Sequence, residues 1–206
     1  MARIPSVHTL HDGDWYLFDY GMVISDAPAA ADWDRLHEAT GRPMDDAGST
    51  YWAHRHAFDA GSLESTGYWA AVLDRAVEAA EAERLDRLDA RLWSRLNPRT
   101  VEVLQALQAR GSHLALLSNM PVRMSEIFTA EATWSAFFER LFFSGPLGLG
   151  KPDRRIYEHV LRELGVDGSD VVFIDDKSEN IEAARELGLR AVHHVPGIDL
   201  AAELGL

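Results

Sequence analysis

The chain has 206 residues, is 47% apolar, carries a formal net charge of −13 and contains no cysteine. That length supports one hydrophobic core with a small insert, the missing cysteine excludes a disulfide framework and any thiolate metal site, and the acidic balance argues against nucleic acid, whose phosphates are bound by basic surfaces. No apolar run reaches the ~20 residues needed to span a bilayer, and the N-terminus lacks the basic-then-apolar pattern of a signal peptide, so a cytoplasmic protein with no membrane partner is expected.

In chain order, the first element is a short β-like run at Trp15 to Phe18, apolar and rich in aromatic residues. Almost eighty residues with little strand character separate it from a helix at 98–110. Within them, 28–39, 49–59 and 63–96 read as helical, with Leu85, Leu88, Leu92 and Leu96 as one apolar stripe. The Ala/Glu/Arg-rich stretch 74–91 reads as a solvated helix face. A gap of that length is no loop, because structureless loops beyond ~15 residues are uncommon in compact domains. The expectation is a helical cap over 25–96, inserted after the first strand into a core of 1–24 and 97–206.

Beyond the insert, Asn97 and Pro98 open a helix that Gly111 ends, with Val101, Leu104 and Leu107 on one side. Strands are predicted at His113 to Leu117, Leu141 to Phe143, Val171 to Ile174 and Ala191 to Val195. Helices at 153–164, closed by Gly165, and at 179–187, capped by Ser178 and closed by Gly188, fall between them. Alternating strand and helix predicts an α/β fold, a Rossmann-like parallel sheet with helices on both faces.

In such sheets ligands bind outside the carboxyl ends of the strands. The first strand ends on Asp19, the second on Ser118 and Asn119, and the fourth on Asp175 and Asp176; the segment after the third holds Lys151. The chain has 18 arginines but only two lysines, Lys151 and Lys177, and three asparagines, Asn97, Asn119 and Asn180. Four of these five scarce residues lie in the strand-end segments, and the fifth is a helix cap. Three carboxylates at one edge raise one another's pKa, and a hard cation with oxygen ligands, Mg²⁺ by default, resolves the conflict. An aspartate, a small hydroxyl and a lysine beside a metal describe phosphoryl transfer.

FDYGMV, LLSN, GKPDRRIY and FIDDKSEN together resemble the four motifs of the haloacid dehalogenase-like hydrolases with a helical cap of the first type, in the same order and over nearly the whole chain. The resemblance implies an Mg²⁺-dependent phosphatase acting on a small phosphorylated metabolite, a sugar phosphate being one candidate, through an aspartyl-phosphate. It implies Asp19 as nucleophile, Ser118 and Asn119 as holders of the phosphoryl group, and Lys151 as the neutralising cation. Asp19, the Gly21 carbonyl, Asp176 and Asp175 would be the metal ligands. A monomer or homodimer is expected.

Gly21 departs from the family pattern, which has a second aspartate there to protonate the leaving group and activate water; losing such a group typically costs ~10²–10⁴-fold in rate. A similar D-x-G pattern occurs in a phosphatase branch that includes an α-glucose-1-phosphate phosphatase, whose anomeric leaving group needs less help. Residues 51–56 of the cap are the expected source of a substitute acid and of substrate contacts, with Tyr51, His54 and His56 as candidates. Their other reading is an aromatic core stripe with exposed histidines. Two further functions stand beside the phosphatase: a metal-free 2-haloacid dehalogenase, which has no need of adjacent acids at the fourth strand, and a catalytically weak binding protein, for which Gly21 is the argument. Tyr157 and His159, His193 and His194, and Trp134, Phe137 and Phe138 are read as packing residues.

Overall fold

Five strands, β1 (Trp15–Phe18), β2 (His113–Ser118), β3 (Arg140–Phe143), β4 (Val171–Asp175) and β5 (Arg190–His193), form one sheet in the order β3-β2-β1-β4-β5 in a computed structural model that describes residues 14–206. Residues 1–13, part of the predicted core range, lie outside the described residues. All four neighbouring pairs are parallel, as the alternating pattern predicts. The strands read as continuous apolar runs because both faces are covered. Tyr16 and Phe18 point to one cluster with Leu104, Leu107 and Phe128. Leu17 points to the other, with Ile156, Tyr157 and Ile181. The chain runs from β1 outward to β3, then returns to the other side of β1 for β4, so the switch in strand order falls beside β1.

Helix α6 (Pro98–Ala109) starts as predicted, with the Asn97 side chain accepting the Arg99 N–H. Helix α9 (Arg154–Leu164) is capped by Asp153 and closed by a left-handed Gly165. Helix α10 (Ser178–Glu186) differs at its start: Ser178 is its first residue and Lys177 occupies the cap position. Asp175 explains the shift, because its Oδ1 accepts the Lys177 N–H at 2.9 Å and fixes the entry to the helix. Helices α7 (Val122–Glu131), α8 (Ser144–Leu147) and α11 (Leu200–Glu203) complete this part of the fold.

The insert contains α1 (Ala30–Thr40), α2 (Thr50–Ala53), α3 (Arg55–Asp59), α4 (Ser65–Leu73) and α5 (Ala79–Leu92). The predicted helix 49–59 is thus two short ones meeting at His54. The predicted helix 63–96 is also two, parted after Leu73, where Asp74 takes a left-handed φ of 54°. Leu96 leaves the predicted stripe and instead bridges Ser25. The stretch 74–91 is not wholly solvated either, since Asp86 and Asp89 are buried; Asp86 accepts the Trp69 indole N–H at 2.8 Å. A third apolar cluster, including Trp33, Leu36, Met44, Tyr68, Trp69 and Leu85, is drawn entirely from these helices and their connections. Entry and exit run side by side: the Asp26 N–H donates to the Arg95 carbonyl and the Asn97 N–H to the Ile24 carbonyl, each at 2.8 Å. No helix among the described residues is long and apolar enough to cross a membrane.

Leu104 is fully buried between α6 and the sheet, whereas its neighbour Gln105 is exposed. In urea denaturation Leu104→Ala is expected to cost about 2–5 kcal/mol of stability, and Gln105→Ala to stay within about 0.5 kcal/mol.

Candidate active site

Asp19 leaves β1 with its N–H still donating to the Ile174 carbonyl of β4, so it is held in the sheet's own hydrogen-bond pattern. The following loop folds back at once. The N–H groups of Ile24 and Ser25 donate to the Tyr20 carbonyl at 2.8 and 2.9 Å, and Met22 takes a left-handed φ of 62°. Tyr20 anchors this turn by packing on Phe128 and Trp134 and by donating its hydroxyl to the Trp93 carbonyl.

Lys151 is the centre of the site. It is 3% exposed, and its Nζ lies 2.7 Å from Asp19 Oδ1 and 2.6 Å from Asp175 Oδ2. Asn119 places it: the side-chain amide donates to the Lys151 carbonyl and accepts the Lys151 N–H, both at 2.8 Å. Asn119 thus spends its side chain on the lysine loop, leaving main-chain atoms for any ligand. Asp175 is held in turn by the Lys177 N–H and by Asn180 Nδ2, each 2.9 Å from Oδ1. Tyr157, on α9, donates to the Asn180 carbonyl, a structural role as its helix-face position predicts. His193 and His194 also brace this edge; the first reaches the Asp176 carbonyl at 2.9 Å and the second, through its N–H, that of Asp175 at 2.8 Å. Ser118, buried at the end of β2, completes the strand-end group.

Carboxylate oxygens of Asp19, Asp175 and Asp176 lie within 4.8 Å of one another. Burial pushes Asp19 up to about 7; Lys151 opposes this, while Asp175 and Asp176 add to it. Burial, then Asp175, also raises Asp176. Burial acts against the Lys151 ammonium, yet Asp175 and Asp19 together hold its pKa above the ordinary lysine value. One ammonium faces three carboxylates. This is an oxygen-only donor set with excess negative charge, and it suits a hard divalent cation.

Of the cap candidates, Tyr51 is displaced from the substrate-binding role expected of it. It is fully buried, and its hydroxyl donates to Asp89 Oδ1 at 2.6 Å and accepts from Arg55. Trp33, Trp52 and Tyr68 pack around its ring, the aromatic core stripe of the alternative reading. His54 is half-buried and His56 exposed, and neither shares a hydrogen bond or ion pair with the Asp19–Lys151 group. The side chain of that segment that turns inward is Arg55. Its Nε lies 2.7 Å from Asp59, its Nη1 2.9 Å from Asp89, and its Nη2 3.9 Å from Met124 Sδ on α7.

Sequence reasoning did not single out Arg55, Asp59 or Ser144. Ser144 follows β3 directly, so the strand-end rule reaches it. Its hydroxyl accepts the Met120 N–H at 2.8 Å and donates to the Asp59 carbonyl, tying the insert to the ends of β2 and β3. The i, i+4 spacing of Arg55 and Asp59 was the available signal for that pair.

Residues 11–188 match the family model for haloacid dehalogenase-like hydrolases. Among curated relatives, the sesquiterpene phosphatase astK of Aspergillus oryzae is 29% identical over 53% of this chain and 56% of its own length. The chain therefore spans about half of that relative. The phosphorylated carbohydrates phosphatase of Thermotoga maritima is 27% identical over 87% of this chain and 83% of its own. An (S)-2-haloacid dehalogenase of a Pseudomonas species is also a relative. Among solved structures, a HAD family enzyme from Bacteroides thetaiotaomicron in complex with magnesium and inorganic phosphate superposes with a TM-score of 0.72, at 17% identity, over 93% of this chain and 98% of that one. With the family model covering most of its length, and the parallel sheet of that fold beneath its strand-end acids, the chain belongs to the haloacid dehalogenase-like hydrolases.

Proposed function

We propose that the protein is an Mg²⁺-dependent phosphatase of small phosphorylated metabolites, a phosphorylated sugar among the candidates, with residues 25–96 acting as a cap over a catalytic core of 1–24 and 97–206. The observation that carries this reading is the Lys151 ammonium held between Asp19 and Asp175, with Asp176 in the same carboxylate group. The phosphatases among the relatives support it.

In this reading Asp19 attacks phosphorus and forms an aspartyl-phosphate. Both hydrogen bonds found at its carboxylate, from the Tyr20 N–H and from Lys151, fall on Oδ1. Lys151 fixes the carboxylate's orientation and neutralises charge on the nucleophile and phosphoryl oxygens. The Ser118 hydroxyl and the Asn119 N–H donate to those oxygens; such preorganised donors are each worth about 10²–10³ in rate. Asp19, Asp176 and the Gly21 carbonyl would hold the cation. Asp175, already accepting three hydrogen bonds, would contribute as a further ligand or through water. When bound, the cation supplies charge stabilisation to the transferring phosphoryl group.

The dehalogenase reading draws on one relative and on the Asp–Lys pair, but it leaves Asp176 without chemical work.

Phosphate release from a panel of sugar and acyl phosphates is expected to need Mg²⁺, to stop with chelator and to vanish in Asp19→Asn. Halide release from 2-haloacids without metal, and no phosphate release, would replace this reading with the dehalogenase. Asp176→Asn is expected to weaken Mg²⁺ binding, followed by calorimetry, by at least about tenfold, by the scale of losses seen even for outer-shell partners. Asn119→Ala frees the main chain of Lys151, and steady-state kinetics should show kcat/KM falling about 10²-fold, the typical cost of a misplacement near 1 Å.

A further inference from the structure

Gly21 leaves the core without the side chain that would carry a proton to a departing alkoxide. Nothing fills the space: a Cβ built on Gly21 would meet no atom within 4 Å, and its φ is not left-handed. The search for a substitute leads to the cap. Asp59 ends α3, and its carbonyl accepts the hydroxyl of Ser144, which itself accepts the N–H of Met120, the residue after Asn119. The main chain of Asp59 is therefore anchored at the ends of β2 and β3. Lys177, just beyond β4, also pulls the pKa of its carboxyl down, by less than Arg55 does. In the sheet, β1 lies between β2 and β4. The main chain of Asp59 is therefore held at the carboxyl edge of the sheet, beside the neighbouring strand that delivers Asp19.

Its two neighbouring acids are differently placed. Asp89 is 0% exposed and locked by Arg55 and Tyr51. Asp86 is bound to Trp69. Asp59 takes the Arg55 Nε on Oδ1 alone and keeps 18% of its side chain exposed. The charged and titratable groups facing it are Arg55 and Tyr51 of the α2–α3 segment, Tyr68 of α4, Asp89 of α5 and Lys177 of the core.

We propose that the Asp59 carboxyl is the enzyme's general acid and base, supplied by the cap in place of the side chain that Gly21 lacks. The inference rests on the phosphatase reading. In the first half-reaction an Asp19 oxygen bonds to phosphorus while the bond from phosphorus to the ester oxygen breaks. The bonding pair goes to that oxygen, which takes the Asp59 proton and leaves as the alcohol. In the second half, a water oxygen bonds to phosphorus and gives a proton to the Asp59 carboxylate. The bond from phosphorus to Asp19 breaks with its pair returning to Asp19, and hydrogen phosphate departs. Burial pushes Asp59 up to about 6, against the opposing pull of Arg55, so a protonated fraction persists near neutral pH and falls as pH rises through that value.

The test compares an alkyl phosphate with 2,4-dinitrophenyl phosphate, whose leaving group needs no proton. For Asp59→Asn, which keeps an acceptor for Arg55, kcat/KM on the alkyl ester is expected to fall by about 10²–10⁴ relative to that on the dinitrophenyl ester. Adding Gly21→Asp to Asp59→Asn should recover part of the alkyl rate. Should Asp59→Asn fail to fold, the wild type decides: the ratio of alkyl to dinitrophenyl kcat/KM should decline as pH rises above about 6, a comparison in which the ionisation of Asp19 cancels. Equal losses on both esters, or identical pH profiles, overturn the role of Asp59 while leaving the phosphatase standing. Absence of Asp19-dependent turnover on either ester overturns both.

Discussion

The buried ammonium of Lys151, set between the carboxylates of Asp19 and Asp175, is the contact around which the rest of the molecule is arranged. Buried ions are costly, typically several kcal/mol each after relaxation, and the cost is offset only when geometry is good and remaining hydrogen-bonding capacity is met. Here it is met by a chain of neutral groups: Asn119 on the lysine's main chain, Asn180 on Asp175, Tyr157 on Asn180. The strand order serves the same contact. β1 and β4 are neighbours, so their terminal acids converge, while the lysine arrives from beyond β3, two strands away. Asn119, at the end of the intervening β2, draws that loop inward.

This explains why the site was easier to read than the insert above it. A strand that ends on a polar residue at the carboxyl edge of a parallel sheet announces itself, and Asp19, Ser118, Asn119, Asp175 and Asp176 all do so. The rarity of lysine and asparagine marked Lys151 and Asn180 as well. β1 has the expected bounds, and the other four strands differ from expectation by a residue or two at their ends. In the insert the same rules lose force. Asp89 buried against Arg55 and an aspartate on a solvated helix face have the same signature in a sequence, and only tertiary packing separates them. Tyr51 carries a polar tip on a large apolar body, so it suits a pocket and a core equally. The break at Asp74 is a single left-handed residue inside a run that local pattern treats as continuous.

The insert also has an unusual interior for its size. Trp33, Tyr51, Phe58, Tyr68 and Trp69 supply apolar area, but among them lies a hydrogen-bonded triad of Asp59, Arg55 and Asp89. Apolar packing of similar volume would often be at least as stable, so such a network is better understood as specifying one arrangement. The guanidinium holds α3 against α5 and touches Met124 across the junction with the core, so the orientation of Asp59 is tied to the fold of the whole insert.

Where the insert meets the core, Gly61 lies against Gly145 so closely that a Cβ on the former would come within 2.3 Å of the latter's carbonyl oxygen. Insert and core are therefore spaced there by main chain touching main chain, with no side-chain layer between. A gap set in this way does not change when neighbouring side chains do. The underside of the insert can therefore be reshaped by substitution of its side chains without altering the main-chain contact between Gly61 and Gly145.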